Sequence, residues 1–395
     1  MSNKAHCFRI YPNQEQQAFL VRCFGCSRFV YNHFLRLTSD AYAESKQHLR
    51  YGQTAKLLTA LKKEESYQWL SEVNSQSLQQ TLKDLESAFA KFFRKQGEYP
   101  NFKKRHSRQS FRVPQHWSIT TDGKLKLPKM EAISMVMHRQ IEGKPTSVTI
   151  SKTPTGKYYA SIVVEYEEKK ADYNGSAVGV DLGLNHFLIT SKGDKHENPR
   201  FYRRAWKRLK RLHKSVSRKQ KGSNNRNRAR LLLARAHEKV ANQRRDMLHK
   251  ISLKLTSENQ VVAVEDLCVK GMVKNHKLAQ AISDAGWSQF LTFLEYKGKL
   301  HGCEIRKLER FFPSSKRCSC CGYINNQLTL RDREWVCPEC ETSHDRDINT
   351  ATNILIFSES QIPLEQREST PKELVERQGY QGGYSLGLGS CAGKS

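Results

Sequence analysis

The sequence predicts an α+β multi-domain protein. A small N-terminal β-barrel holds an inserted helical bundle, and an α/β domain with an inserted zinc ribbon follows. Three observations predict this. Strand-like runs flank a helical stretch in the first part of the chain; two apolar runs further on each end in a carboxylate; and two CxxC pairs lie close together near residues 318–340.

The barrel and its insertion come first. Residues 6–11 (HCFRIY) alternate as a strand does. Asn13 then stands as a helix N-cap with Gln16 three residues on, a capping-box arrangement. Phe19, Leu20, Phe24, Tyr31 and Leu35 recur at helical spacing, and a second helix from about Ser77 carries Leu78, Leu82, Leu85, Phe89 and Phe92 on one stripe. Strand-like pieces return as KLKLP, AISMVMH and the pair SVTISKT and KYYASIVVEY, which reads as a hairpin with Pro154 and Gly156 in its turn. The first strand joins these, so a wedge-like barrel of residues 1–12 and 105–172 encloses a helical recognition insertion over 13–104. Within that insertion Cys23 and Cys26 form a CxxC inside an apolar helical pattern. Two thiols cannot fill a tetrahedral site, so they read as core packing.

A polar stretch (EEKKADYNGS) marks a boundary near residue 172. Beyond it SAVGVDLGLNHFLITSKGD gives two strands and a tight turn, and residues 202–255 form one long basic helical region. QVVAVEDL (260–267) is an apolar strand, a helix lies around 287–299, and HDRDINTATNILIF begins polar and becomes helical. From about residue 359 to 395 the chain turns rich in Gly, Ser, Gln and Glu and reads as a flexible tail.

Charge narrows the class of partner. Lys and Arg total 67 against 39 acidic residues, a net charge of +28. Such an excess repels itself unless a polyanion neutralises it, and nucleic acid is the obvious one. No apolar run reaches the roughly 20 residues that span a bilayer, and the first residues lack the apolar core of a signal peptide. The expectation is a soluble cytoplasmic protein associated with the nucleoid.

Two constellations carry chemistry. Cys318 and Cys321 are followed by Cys337 and Cys340, the spacing of a closed, structural Cys₄ zinc ribbon, with Cys320 as the spare thiol. Asp181 ends one apolar strand, Glu265 ends another, and Asp347 stands at the start of a helix with Asp345 competing for its role. A carboxylate at the end of an apolar strand costs solvation unless a cation compensates. Hard oxygen ligands select Mg²⁺ or Mn²⁺, and two such ions about 4 Å apart suit phosphodiester cleavage.

The segments GVDLGLNHFLIT, VVAVEDLCVKGM, SSKRCSCCGY with CPEC, and HDRDINTATNI resemble the TnpB family of transposon-encoded RNA-guided endonucleases, relatives of the type V CRISPR effectors. The N-terminal RIYPNQEQ and FGCSRFVYN segments also match, and the resemblance covers most of residues 5–357. It implies a RuvC-like RNase H fold over 173–313 and 341–358, with the ribbon inserted at 314–344. It also implies an Asp-Glu-Asp triad, matched here by Asp181, Glu265 and Asp347. The partners implied are a guide RNA from the transposon end and double-stranded target DNA, cut beside a short transposon-adjacent motif; one chain would act with its RNA. On this reading Arg94, Lys103, Lys104 and Arg105, with Arg203, Arg204 and Lys207, contact nucleic-acid backbone. Gln76, Gln79 and Gln80 are candidate readers of the adjacent motif. Arg331 and Arg333, between the knuckles, would hold single-stranded DNA near the acids or simply face solvent, and Trp335 would pack the ribbon. Two rivals remain at this point: a nuclease-silent RNA-guided regulator, and a DNA strand-transfer transposase.

Overall fold

Alternating strands and one-sided helices can bury their apolar faces only against each other. In the computed structural model, which describes residues 2–46, 48–105, 108–167, 175–308, 313–329 and 331–360, they do so in two units. One unit comprises Met1–Glu168 with Arg208–Lys239, the other Lys169–Lys207 with Val240–Ser395.

The first unit begins with β1 (Ser2–Tyr11) and α1 (Gln14–Ser45). The expected capping box is present: Gln16 N donates to Asn13 Oδ1 (2.8 Å) and Asn13 N to Gln16 Oε1 (2.9 Å). α2 (Tyr51–Leu61), a short 3₁₀ segment (Glu65–Glu72) and α3 (Ser75–Phe93) complete the helical block. On α3 the stripe Leu78, Leu82, Leu85 and Phe89 is buried as its spacing requires, but Phe92, expected on the same stripe, is 36% exposed. Then come β2 (Gln109–Val113), the small pair β3 (Ser118–Ile119) and β4 (Leu125–Lys126), β5 (Ser134–Val136), β6 (Lys144–Lys152) and β7 (Tyr158–Tyr166). Five of these strands form one antiparallel sheet in the order β2-β6-β7-β1-β5, and among the described residues β2 and β5 are its two edges. The hairpin turn lies at Thr153–Gly156, where Gly156 takes φ +84°. One apolar cluster joins Phe8, Ile10, Ile150 and Ile162 of this sheet to Leu20, Phe24 and Phe34 of α1 and Leu78 of α3. Cys23 and Cys26 lie in it, and burial pushes their thiols up to about 12 and about 11, which keeps them protonated and inert.

In the second unit β8 (Ala177–Leu182), β9 (His186–Thr190) and β10 (Lys195–Glu197) run antiparallel. The basic region expected as one helix is two, α4 (Phe201–Ser217) and α5 (Asn224–Glu258). The break carries Gly222 at φ +89° and is held by Arg226, which donates to the carbonyls of Val216 and Lys219 (2.9 and 2.7 Å). The residues of these helices from Arg208 to Lys239 cluster with the first unit. There Glu238 accepts from Lys157 at 2.9 Å. β11 (Val261–Glu265), α6 (Val269–Met272), α7 (Ala279–Ala285), α8 (Trp287–His301), β12 (Glu304–Leu308), β13 (Glu334–Val336), β14 (Ser343–Asp345) and α9 (Arg346–Ser360) follow. The main sheet has the order β10-β9-β8-β11-β12, with β8, β11 and β12 mutually parallel. Among the described residues no helix is long and apolar enough to cross a membrane. The boundary expected near residue 172 and the tail beyond Ser360 lie outside the described residues.

Candidate functional site

β8 and β11 lie side by side at the centre of the sheet, so their apolar residues are covered on both faces and the chain reads as a continuous apolar run. Parallel pairing puts Val264 opposite Val180, and the residues that follow, Asp181 and Glu265, emerge at the same end. α9 packs across β8 at very close range. A methyl group on Gly179 would overlap the carbonyl oxygen of Ala351 and sit 2.9 Å from the amide of Leu355, so only glycine permits the approach. That approach brings Asp347, in the first turn of α9, to the same place.

Asp181 feels the charges of the other two acids. Burial, then the charges of Glu265 and Asp347, push the Asp181 carboxyl up to about 7, while the Arg346 guanidinium pulls the other way. Glu265 Oε1 accepts from the hydroxyl of Ser314 at 2.5 Å. Both oxygens of Asp347 accept from Arg333 Nη1, at 3.1 and 3.3 Å. Asp345 is spent differently. Its Oδ1 accepts from the backbone N–H groups of Asp347 and Ile348 (3.0 and 3.1 Å), capping α9, and its Oδ2 pairs with Lys195 at 2.5 Å. Burial opposes ionisation of Asp345, but Lys195 and those amides hold its carboxyl below the usual range. Asp345 is thus the cap of α9, and of the two acids it is Asp347 whose charge acts on Asp181.

The four expected cysteines converge, with every sulfur within 4.8 Å of the others. Cys318 and Cys340 lie 3.6 Å apart and Cys321 and Cys337 3.5 Å. A zinc–sulfur bond of about 2.3 Å implies tetrahedral edges of about 3.8 Å, so the donor set fits a structural zinc ion. Burial and the neighbouring thiols push Cys321 up to about 12, whereas hydrogen bonds from Thr342 bring Cys340 down to about 6. Cys320 is exposed and stands outside the cluster. Trp335 packs inside the ribbon, against His344 at 4.9 Å. Of the two ribbon arginines, Arg331 is exposed, while Arg333 reaches Asp347.

The other predicted contact residues are scattered over the surface. Gln79 is exposed on α3, Gln76 donates to Gln115 (3.1 Å) and Gln80 to Asp84 (2.9 Å). Arg94 caps the end of α3, and the Lys103 ammonium sits 3.8 Å over the Tyr31 ring. Lys104 and Arg105 are exposed, as are Arg203, Arg204 and Lys207 on α4. The start of α4 is capped by buried Asp284, which accepts from the amides of Tyr202 and Arg203. Residues that sequence reasoning did not single out are Ser314, Lys195, Arg346 and the amides Asn349 and Asn353. Asn349 and Asn353 sit four residues apart in α9 among Thr, Ile and Ser of similar helix propensity, so local composition gave no signal for them.

Comparison with known proteins gives the family. A Streptomyces pristinaespiralis protein named "Putative RNA-guided DNA endonuclease" is 42% identical over 356 residues, covering 89% of this chain and 88% of its own. The chain belongs to the TnpB family of IS605 elements. Its relative InsQ of Escherichia coli (strain K12), also named "Putative RNA-guided DNA endonuclease", is 32% identical and covers 89% of this chain and 91% of its own. Within the TnpB chain, residues 161–276 match the IS605 OrfB model described as "Probable transposase" and residues 287–354 the "Cas12f1-like, TNB domain". Residues 1–47 match an IS605 OrfB model described as "Helix-turn-helix domain", although here they hold one strand and one continuous helix. The fold is similar to that in the cryo-EM structure of the Cas12f1–sgRNA–target DNA complex. The TM-score is 0.54 at 15% identity, covering 87% of this chain and 83% of that one.

Proposed function

We propose that this TnpB-family protein is an RNA-guided DNA endonuclease that hydrolyses phosphodiester bonds of target DNA at the Asp181, Glu265 and Asp347 site. The single observation that supports the chemical part is that parallel pairing brings Asp181 and Glu265 out at one end of two buried strands, where burial, then the charges of Glu265 and Asp347, push Asp181 up to about 7. Like charges so placed are costly without a cation, which is why the donor set fits Mg²⁺ or Mn²⁺. When bound, such a cation lowers the pKa of its water and screens the charge developing on the phosphate.

The chain's own residues do the rest. Asp181 and Asp347 would hold the cation from β8 and α9, and Glu265 would complete the set from β11, where its carboxylate is bonded by the Ser314 hydroxyl. Asp345 and Lys195 fix the first turn of α9 and so the direction of Asp347. Arg333, half-exposed beside Asp347, can turn to a DNA phosphate once the acid has a cation to bind. The strand order, with three antiparallel strands followed by two parallel ones, supports reading this sheet as a RuvC-like RNase H fold, and the cysteine cluster as its inserted zinc ribbon. The first unit, among the described residues an open five-stranded sheet with its helical block rather than the expected barrel, is read as the part that meets RNA and the adjacent motif.

Guide RNA and target DNA as partners rest on the relatives and on the +28 charge. The test is to purify the protein from cells carrying its element and sequence the RNA that comes with it. A defined RNA with a variable 3′ segment, and Mg²⁺-dependent cutting of DNA matched to that segment, are expected. Protein without RNA, or cutting that ignores the variable segment, overturns the reading.

A further inference from the structure

Two buried asparagines tie α9, the helix of Asp347, to the first cysteine knuckle. Asn349 is 2% exposed and Asn353 1%. Four residues apart, they share one face of α9. Asparagine is a poor residue for a helix interior, and a buried amide must find partners. Both find them on the cysteine knuckle. Asn349 Oδ1 accepts from the amide of Ser319 (2.9 Å) and its Nδ2 donates to the carbonyl of Arg317 (2.7 Å). Asn353 Nδ2 donates to the same Arg317 carbonyl (2.7 Å) and to that of Ser314 (2.9 Å). Ser314 is the residue whose hydroxyl holds Glu265. A third thread runs through His344, whose Nε2 lies 3.0 Å from Cys318 Sγ and which immediately precedes Asp345, the cap of α9.

Arg317 and Ser319, which flank Cys318, therefore anchor the helix of Asp347 through the two amides, and Asn353 carries the link on to Ser314, whose hydroxyl holds Glu265. We infer that Asn349 and Asn353 are positioning residues that transmit the metal state of the four-cysteine cluster to the carboxylate site, so that the nuclease site is assembled only when the ribbon holds its zinc. The inference rests on the proposed roles of the acids and the cysteines. A knuckle that loses its ion releases the Arg317 and Ser319 backbone, the two amides lose their fixed partners, and Asp347 and Glu265 lose their shared geometry.

The test uses the full chain with its RNA and reads Mn²⁺ binding by electron paramagnetic resonance, alongside zinc content, DNA affinity and single-turnover cleavage. Outer partners of metal ligands typically change metal affinity 10- to 100-fold, so Asn353→Ala and Asn349→Ala are each expected to weaken Mn²⁺ binding about tenfold or more while DNA affinity and zinc content hold. Asn349→Asp, which keeps the acceptor for Ser319 and loses the donor to Arg317, should fall between, and it serves if the alanine variants fold poorly. Stripping zinc from the wild type should weaken Mn²⁺ binding comparably and add little in the double variant. If the variants bind Mn²⁺ as the wild type does, or zinc removal acts as strongly in the double variant, the coupling is wrong. Asp347→Ala run beside them separates the two ideas: full cleavage by that variant overturns the assignment of the acids, whatever the asparagines do.

Discussion

The second unit contains a four-cysteine cluster whose geometry fits a metal and a proposed site of three acids, and the two are built in opposite ways. The four cysteines come from one short segment, Cys318 to Cys340, and two tight knuckles suffice to assemble them. The three acids come from β8, β11 and α9, far apart in sequence, and need a sheet, a glycine contact and a capped helix to meet. A local cluster of soft thiolates closes around an ion and leaves no open position, which suits structure. A dispersed cluster of hard oxygens stays accessible and depends on the whole fold, which suits chemistry.

The largest separation between the two should appear on losing a cysteine. Cys337→Ser removes one of four ligands from a type of site that contributes on the order of 10 kcal/mol to folding, so the ribbon should lose its metal and become open to protease near residues 318–340. Cys23→Ala, in the other CxxC, should lower stability by about 1–2 kcal/mol with metal content unchanged, read by denaturant melts and elemental analysis.

Within the acid cluster the contrast is between neighbours. Asp347→Ala should lower single-turnover DNA cleavage roughly 10³-fold with DNA binding kept, because it removes a group of the reacting site. Asp345→Ala should act chiefly on stability, costing about 1–2 kcal/mol through the lost cap of α9. Equal cleavage defects in the two would erase the distinction drawn from their hydrogen bonds.

Gly179→Ala probes what the dispersed cluster requires and the local one does not. It should destabilise the unit by about 1–3 kcal/mol and slow cleavage by displacing α9, while the zinc content stays intact.

The smallest effect expected concerns pH. The Asp181 carboxyl titrates near 7 in the folded chain, above the ordinary aspartate value. Its stabilising contribution is therefore complete below that ordinary value and is lost as pH rises through 7, where the acid must ionise among like charges. A divalent cation reverses this penalty. The rise in melting temperature on adding Mg²⁺ should thus be greater at pH 8 than at pH 5.5, and a rise that does not depend on pH would contradict the charge relation.

What could be read in the sequence follows the same division. CxxC spacing is itself the geometry of the knuckle, so the cysteines and the spare Cys320 were legible. The placement of Asp181 and Glu265 at strand ends was legible because an acid ending a fully apolar strand is conspicuous. Asp345 as the cap of α9 was not legible, since it and Asp347 are both acids at a helix start and only the hydrogen bonds tell them apart. β12 went unread because EIRKL, an edge strand with alternating charge, carries little apolar signal. The break between α4 and α5 was hidden by a composition equally basic on both sides. Ser314, Asn349 and Asn353 escaped because their role lies in contacts across the fold, which a local pattern does not encode.

The measurement that tests the account most directly is single-turnover cleavage of guide-matched DNA by the wild-type complex and by Asp181→Ala, with Mg²⁺ and with the ion removed by chelation. The account predicts cutting only by the wild type with Mg²⁺, and DNA binding by both proteins. Undiminished cutting by Asp181→Ala, or by the wild type after chelation, would contradict it.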